Sequence, residues 1–406
     1  MYNPGTNMLE LDGRQTLIIA ILVLFLGKFL NKRINFLREY NISEPVTGGV
    51  VASIVFGALY FLFNAEFVFS LNQRDSLLIV FFTTIGLSSR FSTLIEGGKS
   101  LIILLICAIA YLFLQNFIGI GVTSITGLNK VVGLVGGTVS LSGGHGTAIA
   151  WATTFIEQYG INSAMEIGIA CATFGLVLGG LIGGPIAKFL INRNNLQPTS
   201  REDLSVGIKH EEKEVVINYF NVLNALLVIG MAVGLGITLN SLITSLGTKL
   251  PMFVTCLFAG IILTNTVPYV FKKITWPTGT PSLALISELS LGLFLAMSLM
   301  SLQLWTLVDL AGPILILLVC QVLVITLFVI FVVYNLMGRD YDAAVMSAGY
   351  AGLALGATPT AIANMEAVTQ KYGASPKAFI VVPLIGAFFI DIANAIIIKF
   401  LLGIIT

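Results

Sequence analysis

Residues 140–151 read SLSGGHGTAIAW, and residues 353–364 read LALGATPTAIAN. Each stretch places glycines and small polar residues inside an otherwise apolar run, so neither makes a good continuous helix facing lipid. Irregular backbone is tolerated at membrane depth only where it lines a cavity or is buried in protein. The two stretches therefore predict re-entrant helical hairpins over 131–155 and over 342–368.

The two hairpin stretches resemble each other. GGHGTAIA at 143–150 and GATPTAIA at 356–363 are identical at five of eight positions, at an offset of 213 residues. The same offset pairs Tyr159 with Tyr372. Small residues recur in any membrane protein, but a shared offset in separate patches is improbable by chance. The pattern indicates an internal repeat.

The composition indicates a membrane protein. Of the 406 residues, 56% are hydrophobic and only 10% are charged, whereas about 25% are charged in a typical soluble domain. A soluble fold has too much surface to hide that apolar material. A bilayer accommodates it, because each crossing takes up about 20 apolar residues.

Several function classes find no support in the sequence. The net charge of +1 gives no electrostatic case for nucleic acid as a partner. With only two histidines, and four cysteines all inside apolar runs, no zinc-binding motif is present. No nucleophile and base form a recognisable set, and no phosphate-binding loop occurs. We therefore expect no enzyme activity, no cofactor and no metal site beyond transported sodium.

Ten apolar runs and one long polar stretch organise the chain. The polar stretch, 192–214, separates a first half, 1–191, from a second half, 215–406. Each half holds five runs and one hairpin, and because five is odd, the second half enters the membrane the other way up. Such inverted repeats with broken helices are typical of secondary transporters. The sequence thus predicts an all-α integral membrane fold of ten transmembrane helices plus two re-entrant hairpins, with runs at 15–31, 44–64, 76–95, 100–126, 163–191, 217–245, 250–270, 282–304, 310–336 and 376–404.

The basic residues predict the orientation. With the N-terminus placed outside, 16 of the 21 lysines and arginines fall on the inner side. Cytoplasmic loops carry an excess of these residues. We therefore expect both termini outside and the 192–214 linker in the cytoplasm.

The tip motifs resemble those of the bacterial sodium/glutamate symporter family. LSGGHGTAIAW at 141–151 and LGATPTAIANM at 355–365 carry the resemblance, together with EPVTGG at 44–49. It covers nearly the whole chain outside the 192–214 linker. The resemblance implies sodium-coupled uptake of glutamate across the inner membrane of the cell. It also implies a homodimer and an elevator-like movement of a transport domain against a scaffold.

The two hairpin tips supply the candidate substrate site. Glycines permit a tight turn and close approach of the backbone to a ligand, and a helix that starts at Pro359 points free N–H groups into the cavity. No lysine or arginine lies deep in a run, so these amides are expected to hold the negative charge of the substrate. His145, the only histidine in an apolar segment, fits a structural role equally well. The candidate residues are Ser142, Gly143, Gly144, His145, Gly146, Thr147, Gly356, Ala357, Thr358, Pro359 and Thr360.

The last run supplies the candidate sodium ligands. Asp391 lies inside that run, and an ionisable group there indicates a functional site. Asn394 shares its helical face three residues on, and Asn364 follows the second tip. A hard cation prefers such oxygen ligands. Position 178, the repeat partner of Asp391, is leucine, so the sodium site is expected mainly in the second half. The competing interpretation is a polar contact between two helices.

Two alternatives to glutamate–sodium symport remain open on the residues alone. One is symport of another small organic anion, such as aspartate or a dicarboxylate, or coupling to protons. The more remote one is a membrane scaffold or receptor that transports nothing.

Overall fold

The computed structural model describes residues 2–3, 8–39, 42–63, 65–91, 98–198, 218–246, 250–271, 274–302 and 310–405. Within these ranges the chain is almost wholly helical. The helices are α1 (Gly13–Arg33), α2 (Asn35–Glu39), α3 (Glu44–Phe63), α4 (Asn72–Ser88), α5 (Gly98–Ile125), α6 (Lys130–Leu134), α7 (Gly144–Tyr159), α8 (Ala164–Asn194), α9 (Tyr219–Ser245), α10 (Met252–Thr264), α11 (Val267–Val270), α12 (Pro281–Met300), α13 (Ala311–Phe328), α14 (Tyr334–Leu336), α15 (Tyr341–Leu355), α16 (Thr358–Tyr372), α17 (Pro376–Leu384) and α18 (Ile390–Ile405).

In the described part of the chain, three π-helical turns connect some of these helices. They cover Val135–Val139 after α6, Val329–Val333 after α13 and Ile385–Phe389 after α17. Wider turns of this kind often mark functional sites. The first contains a residue outside helical geometry, Gly137, with φ −93° and ψ −126°. The helix that enters the first predicted hairpin is therefore broken before its tip.

One small sheet lies beside the start of α1. Its strands are β1 (Tyr2–Asn3), β2 (Met8–Leu11) and β3 (Glu66–Phe69), with β1 antiparallel and β3 parallel to β2. A capping box then starts α1, because Asp12 Oδ1 accepts from the backbone N–H of Gln15 at 2.8 Å while Gln15 Oε1 accepts from that of Asp12 at 3.0 Å. This sheet was not predicted from the sequence, which indicated an all-α fold.

The predicted apolar runs coincide with helices over most of their described lengths. In the described part of the chain, eight helical segments are long and apolar enough to cross a membrane. They do not include α4, of 17 residues, or the α17–α18 segment, which the π-turn interrupts. Residues 92–95, 199–214 and 303–304 of the predicted elements lie outside the described residues, as do 64 and 217.

The helices group into two compact units. The first unit is drawn from Met1–Arg90 and Ile217–Asp309, and it contains α1–α4, α9–α12 and the sheet. The second unit is drawn from Phe91–Val216 and Leu310–Thr406, and it contains the remaining helices. Each unit thus takes residues from both halves of the chain. All the candidate substrate and sodium residues belong to the second unit.

Glycines bring helix backbones together in the first unit. A Cβ atom added at Gly27 of α1 would overlap the backbone carbonyl of Glu44, and one added at Gly48 of α3 would overlap that of Val23. With no hydrophobic drive between helices in lipid, such close van der Waals packing of small residues holds helices together. Large apolar side chains on the outward faces, including Phe25 at 65% exposure, remain for contact with lipid.

A glycine ladder on α8 organises the second unit. Gly175, Gly179 and Gly183 recur at four-residue spacing and therefore share one face of the helix. A Cβ at Gly175 would overlap the carbonyl of Leu355 on α15, and one at Gly183 would overlap the side chain of Asn364 on α16. One face of α8 thus receives both helices of the second predicted hairpin.

This packing predicts opposite effects of two alanine substitutions on α8. Gly175→Ala should lower the free energy of unfolding by about 1–3 kcal/mol, because its methyl group meets backbone that cannot easily move. Gly184→Ala is the matched control, since nothing lies within 4 Å of a Cβ there. It should be neutral or stabilise the protein by up to about 1 kcal/mol through helix propensity. Thermal unfolding in detergent measures both, and equal melting temperatures would contradict the ladder.

Candidate functional site

The two predicted hairpin tips meet in the second unit. Gly144 begins α7 with φ +68°, in the left-handed region, and a Cβ added there would lie 3.8 Å from the carbonyl oxygen of Gly356. Gly356 is the C-cap of α15, and the next residue, Ala357, is the N-cap of α16. Residues 212 positions apart are therefore neighbours. The structure brings the two repeated motifs to one place.

Both helices that begin at the tips lack a side-chain cap. Neither Gly143, the N-cap of α7, nor Ala357, the N-cap of α16, provides a capping hydrogen bond. The first N–H groups of a helix have no intrahelical partner, and with the helix dipole they favour an anion. Two such helix starts side by side make a site suited to carboxylate groups.

Ser142 links the first tip to the second. Its Oγ lies 2.5 Å from Oε1 of Gln115 on α5 and 3.2 Å from the carbonyl oxygen of Ala354 on α15. Gln115 Nε2 donates to the same Ala354 carbonyl at 3.0 Å. A second glutamine, Gln321 of α13, donates its Nε2 to the backbone carbonyl of Gln115 at 2.9 Å. A buried amide network therefore holds the tips in register.

The other side chains of the first tip are held from nearby. His145 is 8% exposed, and its Nε2 lies 2.9 Å from Thr173 Oγ1 of α8. Thr147 is also buried, and its methyl group occupies the space that a Cβ at Gly143 would need. Gly146 is half-buried. This packing fits a positioned tip whose backbone, more than its side chains, faces a ligand.

The second tip differs in its side chains. Pro359 is exposed in the first turn of α16, where the lack of an N–H does no harm. Thr360 is 1% exposed, and its Oγ1 has no hydrogen-bond partner. Thr358 Oγ1 lies so near the π-turn Ile385–Phe389 that a Cβ at Gly386 would be 2.5 Å from it. The second tip thus packs beside the turn that leads to α18.

Asn394 is bound to the broken helix of the first hairpin. Its Nδ2 donates to the carbonyl of Thr138 at 2.9 Å, and Thr138 in turn donates from Oγ1 to Asn116 Oδ1 at 3.0 Å. The Thr138 carbonyl can only accept a hydrogen bond, so the Asn394 amide nitrogen must face it and Oδ1 must point away from it. That oxygen is fully buried and has no partner. An unpaired buried oxygen of this kind suits a cation or a water molecule.

Asn364 and Asp391 have different surroundings. Asn364 is 4% exposed and donates Nδ2 to the carbonyls of Gly179 at 2.9 Å and Ala348 at 3.3 Å. Asp391 is half-buried in the first turn of α18. Among the described residues, no hydrogen bond joins the side chains of Asp391, Asn364 and Asn394 to one another. The three candidate sodium ligands are thus in one unit but not in one hydrogen-bonded cluster.

Unsatisfied polar atoms are concentrated in this unit. Among the described residues, the fully buried atoms Asn116 Nδ2, Gln321 Oε1, Thr360 Oγ1 and Asn394 Oδ1 lack partners, along with Tyr111 OH. An orphaned buried polar group costs about 1–3 kcal/mol. No group of three or more His, Cys, Asp and Glu that could hold a metal occurs in the same residues. The unpartnered oxygens of this unit therefore suit an oxygen-ligated cation or water.

The amide residues that support the tips were not among the site residues predicted from the sequence. Gln115 and Asn116 interrupt the apolar run of α5, Gln321 interrupts that of α13, and all three are fully buried. The signal was available, since polar side chains inside membrane spans are rare and face the interior. Their partners were not, because Gln115 and Ala354 are 239 positions apart.

Comparison with known proteins shows the family of this chain. The family model described as "Sodium/glutamate symporter" matches residues 9–374. A sodium/glutamate symporter of Haemophilus influenzae is 44% identical over 389 residues, covering 95% of this chain and 96% of that protein. One of Escherichia coli is 43% identical over 399 residues, covering 97% and 98%. These matches confirm the resemblance carried by the tip motifs, and the chain belongs to the sodium/glutamate symporter family.

Proposed function

We propose that this chain is a multi-pass membrane transporter, and not an enzyme, that carries glutamate into the cell together with sodium. The observation that carries the proposal is the meeting of two uncapped helix starts, at Gly144 and Thr358, inside one unit of a membrane protein. The names of its relatives supply the cargo and the coupling ion. Sodium is a co-transported ion, and no cofactor is required.

The substrate is held mainly by backbone amides. The tip segments 140–147 and 353–364 contain no lysine or arginine, so the carboxylates of glutamate bind the free N–H groups at the starts of α7 and α16. Ser142, His145, Thr147, Thr358 and Thr360 add polar side chains around them. Gly143, Gly144, Gly146, Gly356, Ala357 and Pro359 allow the backbone to approach the ligand closely.

Sodium is held by oxygens on and near α18. Asn394 Oδ1 is buried and unpartnered, and the Asp391 carboxylate one helical turn earlier forms no salt bridge with a lysine, arginine or histidine among the described residues. Asn364 already ties α8 to the second tip, so it places that tip relative to the ions. A sodium ion between α18 and the second tip would neutralise the charge of the Asp391 carboxylate. The shape of the substrate site would then depend on whether sodium is bound.

The arrangement in the membrane follows the inverted repeat. The halves 1–191 and 215–406 each supply five crossings and one re-entrant hairpin, which gives ten transmembrane helices in the inner membrane of the cell. Both termini lie outside, and the linker 192–214 lies in the cytoplasm. The second unit holds every candidate site residue, which supports its movement as a transport domain in an elevator-like cycle. The protein assembles as a homodimer, as the family resemblance implies.

Uptake into vesicles tests the function. Purified protein in liposomes should accumulate labelled glutamate when sodium is high outside, and not when potassium replaces it. With two or more sodium ions per glutamate, an inside-negative potential should raise accumulation, since one charge is worth about 2.3 kcal/mol per 100 mV. Uptake driven by a proton gradient without sodium would show proton coupling instead. Stronger competition by aspartate or a dicarboxylate would assign another anion, and no uptake at all would support a scaffold or receptor.

Changes to the α18 oxygens should alter sodium dependence. Asp391→Asn and Asn394→Leu should each raise the sodium concentration for half-maximal uptake by about 10-fold or more, because each removes a ligand from a buried cation. Glu366→Gln is a control that removes an exposed carboxylate from α16 of the same unit. Unchanged sodium dependence in folded Asp391→Asn would remove that residue from the site.

Changes to the first tip should alter substrate affinity. Gly144→Val should raise the glutamate concentration for half-maximal uptake by at least about 10-fold, because the side chain enters the space beside the Gly356 carbonyl and strains the left-handed backbone. Gly160→Val is the matched control, with φ +69° and nothing within 4 Å of a Cβ. It has the same backbone strain away from the tip. Equal affinity in the two variants would argue against a site at the tips.

A further inference from the structure

The Ser142 hydroxyl donates its hydrogen in a fixed direction, toward the protein. It is half-buried at the first tip, and the groups within hydrogen-bond distance of Oγ are the Gln115 Oε1 and Ala354 carbonyl oxygens, at 2.5 Å and 3.2 Å. A hydroxyl has one hydrogen to donate and two lone pairs that accept. Both neighbours can only accept when Gln115 presents its oxygen. The single hydrogen of Ser142 is therefore committed to the protein.

The orientation of the Gln115 amide follows from the same contacts. Its nitrogen, Nε2, donates to the Ala354 carbonyl at 3.0 Å, and a carbonyl oxygen cannot donate in return. Reversing the amide would place two oxygens against each other and leave a fully buried side chain unsatisfied. Gln321 further fixes this part of α5 by donating to the backbone carbonyl of Gln115 at 2.9 Å. Oε1 thus faces Ser142.

We propose that Ser142 is a specificity-determining residue that accepts a hydrogen bond from the ammonium group of the substrate, and that Gln115 is the positioning residue that makes it an acceptor. This inference rests on the proposed function. The helix starts at the tips bind carboxylates, so they do not distinguish an amino acid from a dicarboxylate. Ser142 offers only lone pairs to the ligand, and an ammonium group is the part of glutamate that can donate to them.

The opposite use of Ser142 is disfavoured. To donate to a substrate carboxylate, its hydroxyl would have to leave both protein acceptors. The fully buried Gln115 Oε1 would then lose its partner, and an unsatisfied buried acceptor is expensive. A carboxylate gains as much from the free backbone amides beside it without that loss. A dicarboxylate without an amine therefore offers no donor to the lone pairs of the Ser142 hydroxyl and binds more weakly than glutamate.

Competition with glutarate tests this assignment, because glutarate has both carboxylates of glutamate and lacks only the ammonium group. Inhibition constants of unlabelled glutamate and of glutarate are measured against labelled glutamate uptake in proteoliposomes. Ser142→Ala should raise the glutamate constant by about 10-fold or more, since a hydrogen bond to a charged group is lost. The glutarate constant should change by less than about 2-fold, because glutarate makes no bond to Ser142.

Matched variants separate this role from a structural one. Ser142→Thr keeps the hydroxyl and should restore the glutamate preference. Gln115→Glu should keep it too, since a protonated buried carboxyl group can accept from Ser142 while donating to Ala354. Ser347→Ala is the control for loss of a buried hydroxyl, because Ser347 bonds to Ala343 of its own helix at 2.8 Å. It should leave the ratio of the two constants unchanged.

Each outcome decides a different point. An equal rise in both constants in Ser142→Ala, or a larger rise for glutarate, would overturn the inference while leaving glutamate transport intact. Absence of sodium-driven glutamate uptake by the unaltered protein would overturn the proposed function and the inference with it. Where Ser142→Ala fails to transport, calorimetric binding of the two ligands to purified protein gives the same ratio. In that measurement too, Ser142→Ala should weaken the binding of glutamate and leave the binding of glutarate nearly unchanged.

Discussion

Buried backbone groups at broken helices need partners, and the second unit is built around that constraint. The last carbonyls of α15 have no intrahelical donors, and one of them, at Ala354, is satisfied by Gln115 of another helix. The first break, at Gly137, is met similarly, since Asn394 donates to the adjacent Thr138 carbonyl. Amide side chains thus replace the water that lipid and protein exclude. These side-chain hydrogen bonds thus stabilise the backbone at both breaks.

Close packing of α8 makes this arrangement possible. Its glycine face lets both helices of the second hairpin approach closely, so that the Leu355 carbonyl of α15 and the Asn364 side chain of α16 lie where side chains of α8 would otherwise be. The same approach brings Asn364 within reach of the Gly179 carbonyl, at 2.9 Å. In this unit, the close packing of the helices and the hydrogen bonding of their buried polar groups therefore depend on each other. The substrate site that we propose is made mainly of backbone and needs rigid neighbours, because it has few long side chains with which to adjust.

The two tips share a sequence motif, but their polar side chains make different contacts. The first is held by the hydroxyl of Ser142 and the imidazole of His145, whereas the second has a buried, unpaired hydroxyl at Thr360 beside the turn that leads to Asp391. The internal repeat predicted from the sequence would account for the two similar helix starts, and the residues that differ between them give them different surroundings. In the proposed mechanism, this division lets one tip distinguish the substrate while the other responds to the ion.

Composition and local pattern determined the membrane class, the helical runs and the two breaks, because transfer energies and backbone hydrogen bonding depend on residues near one another in sequence. The family followed from the resemblance of the tip motifs. The ionisable Asp391 and the tip motifs were likewise evident from their apolar surroundings. The N-terminal sheet was not, since its paired strands, at 8–11 and 66–69, are short and separated by three helices. Only the tertiary structure decided that Gln115 supports Ser142 and that Asn394 pairs with the first hairpin rather than with the other candidate sodium ligands. Such pairings depend on how helices far apart in sequence pack, and packing is set by the fit of whole surfaces, which no local pattern records.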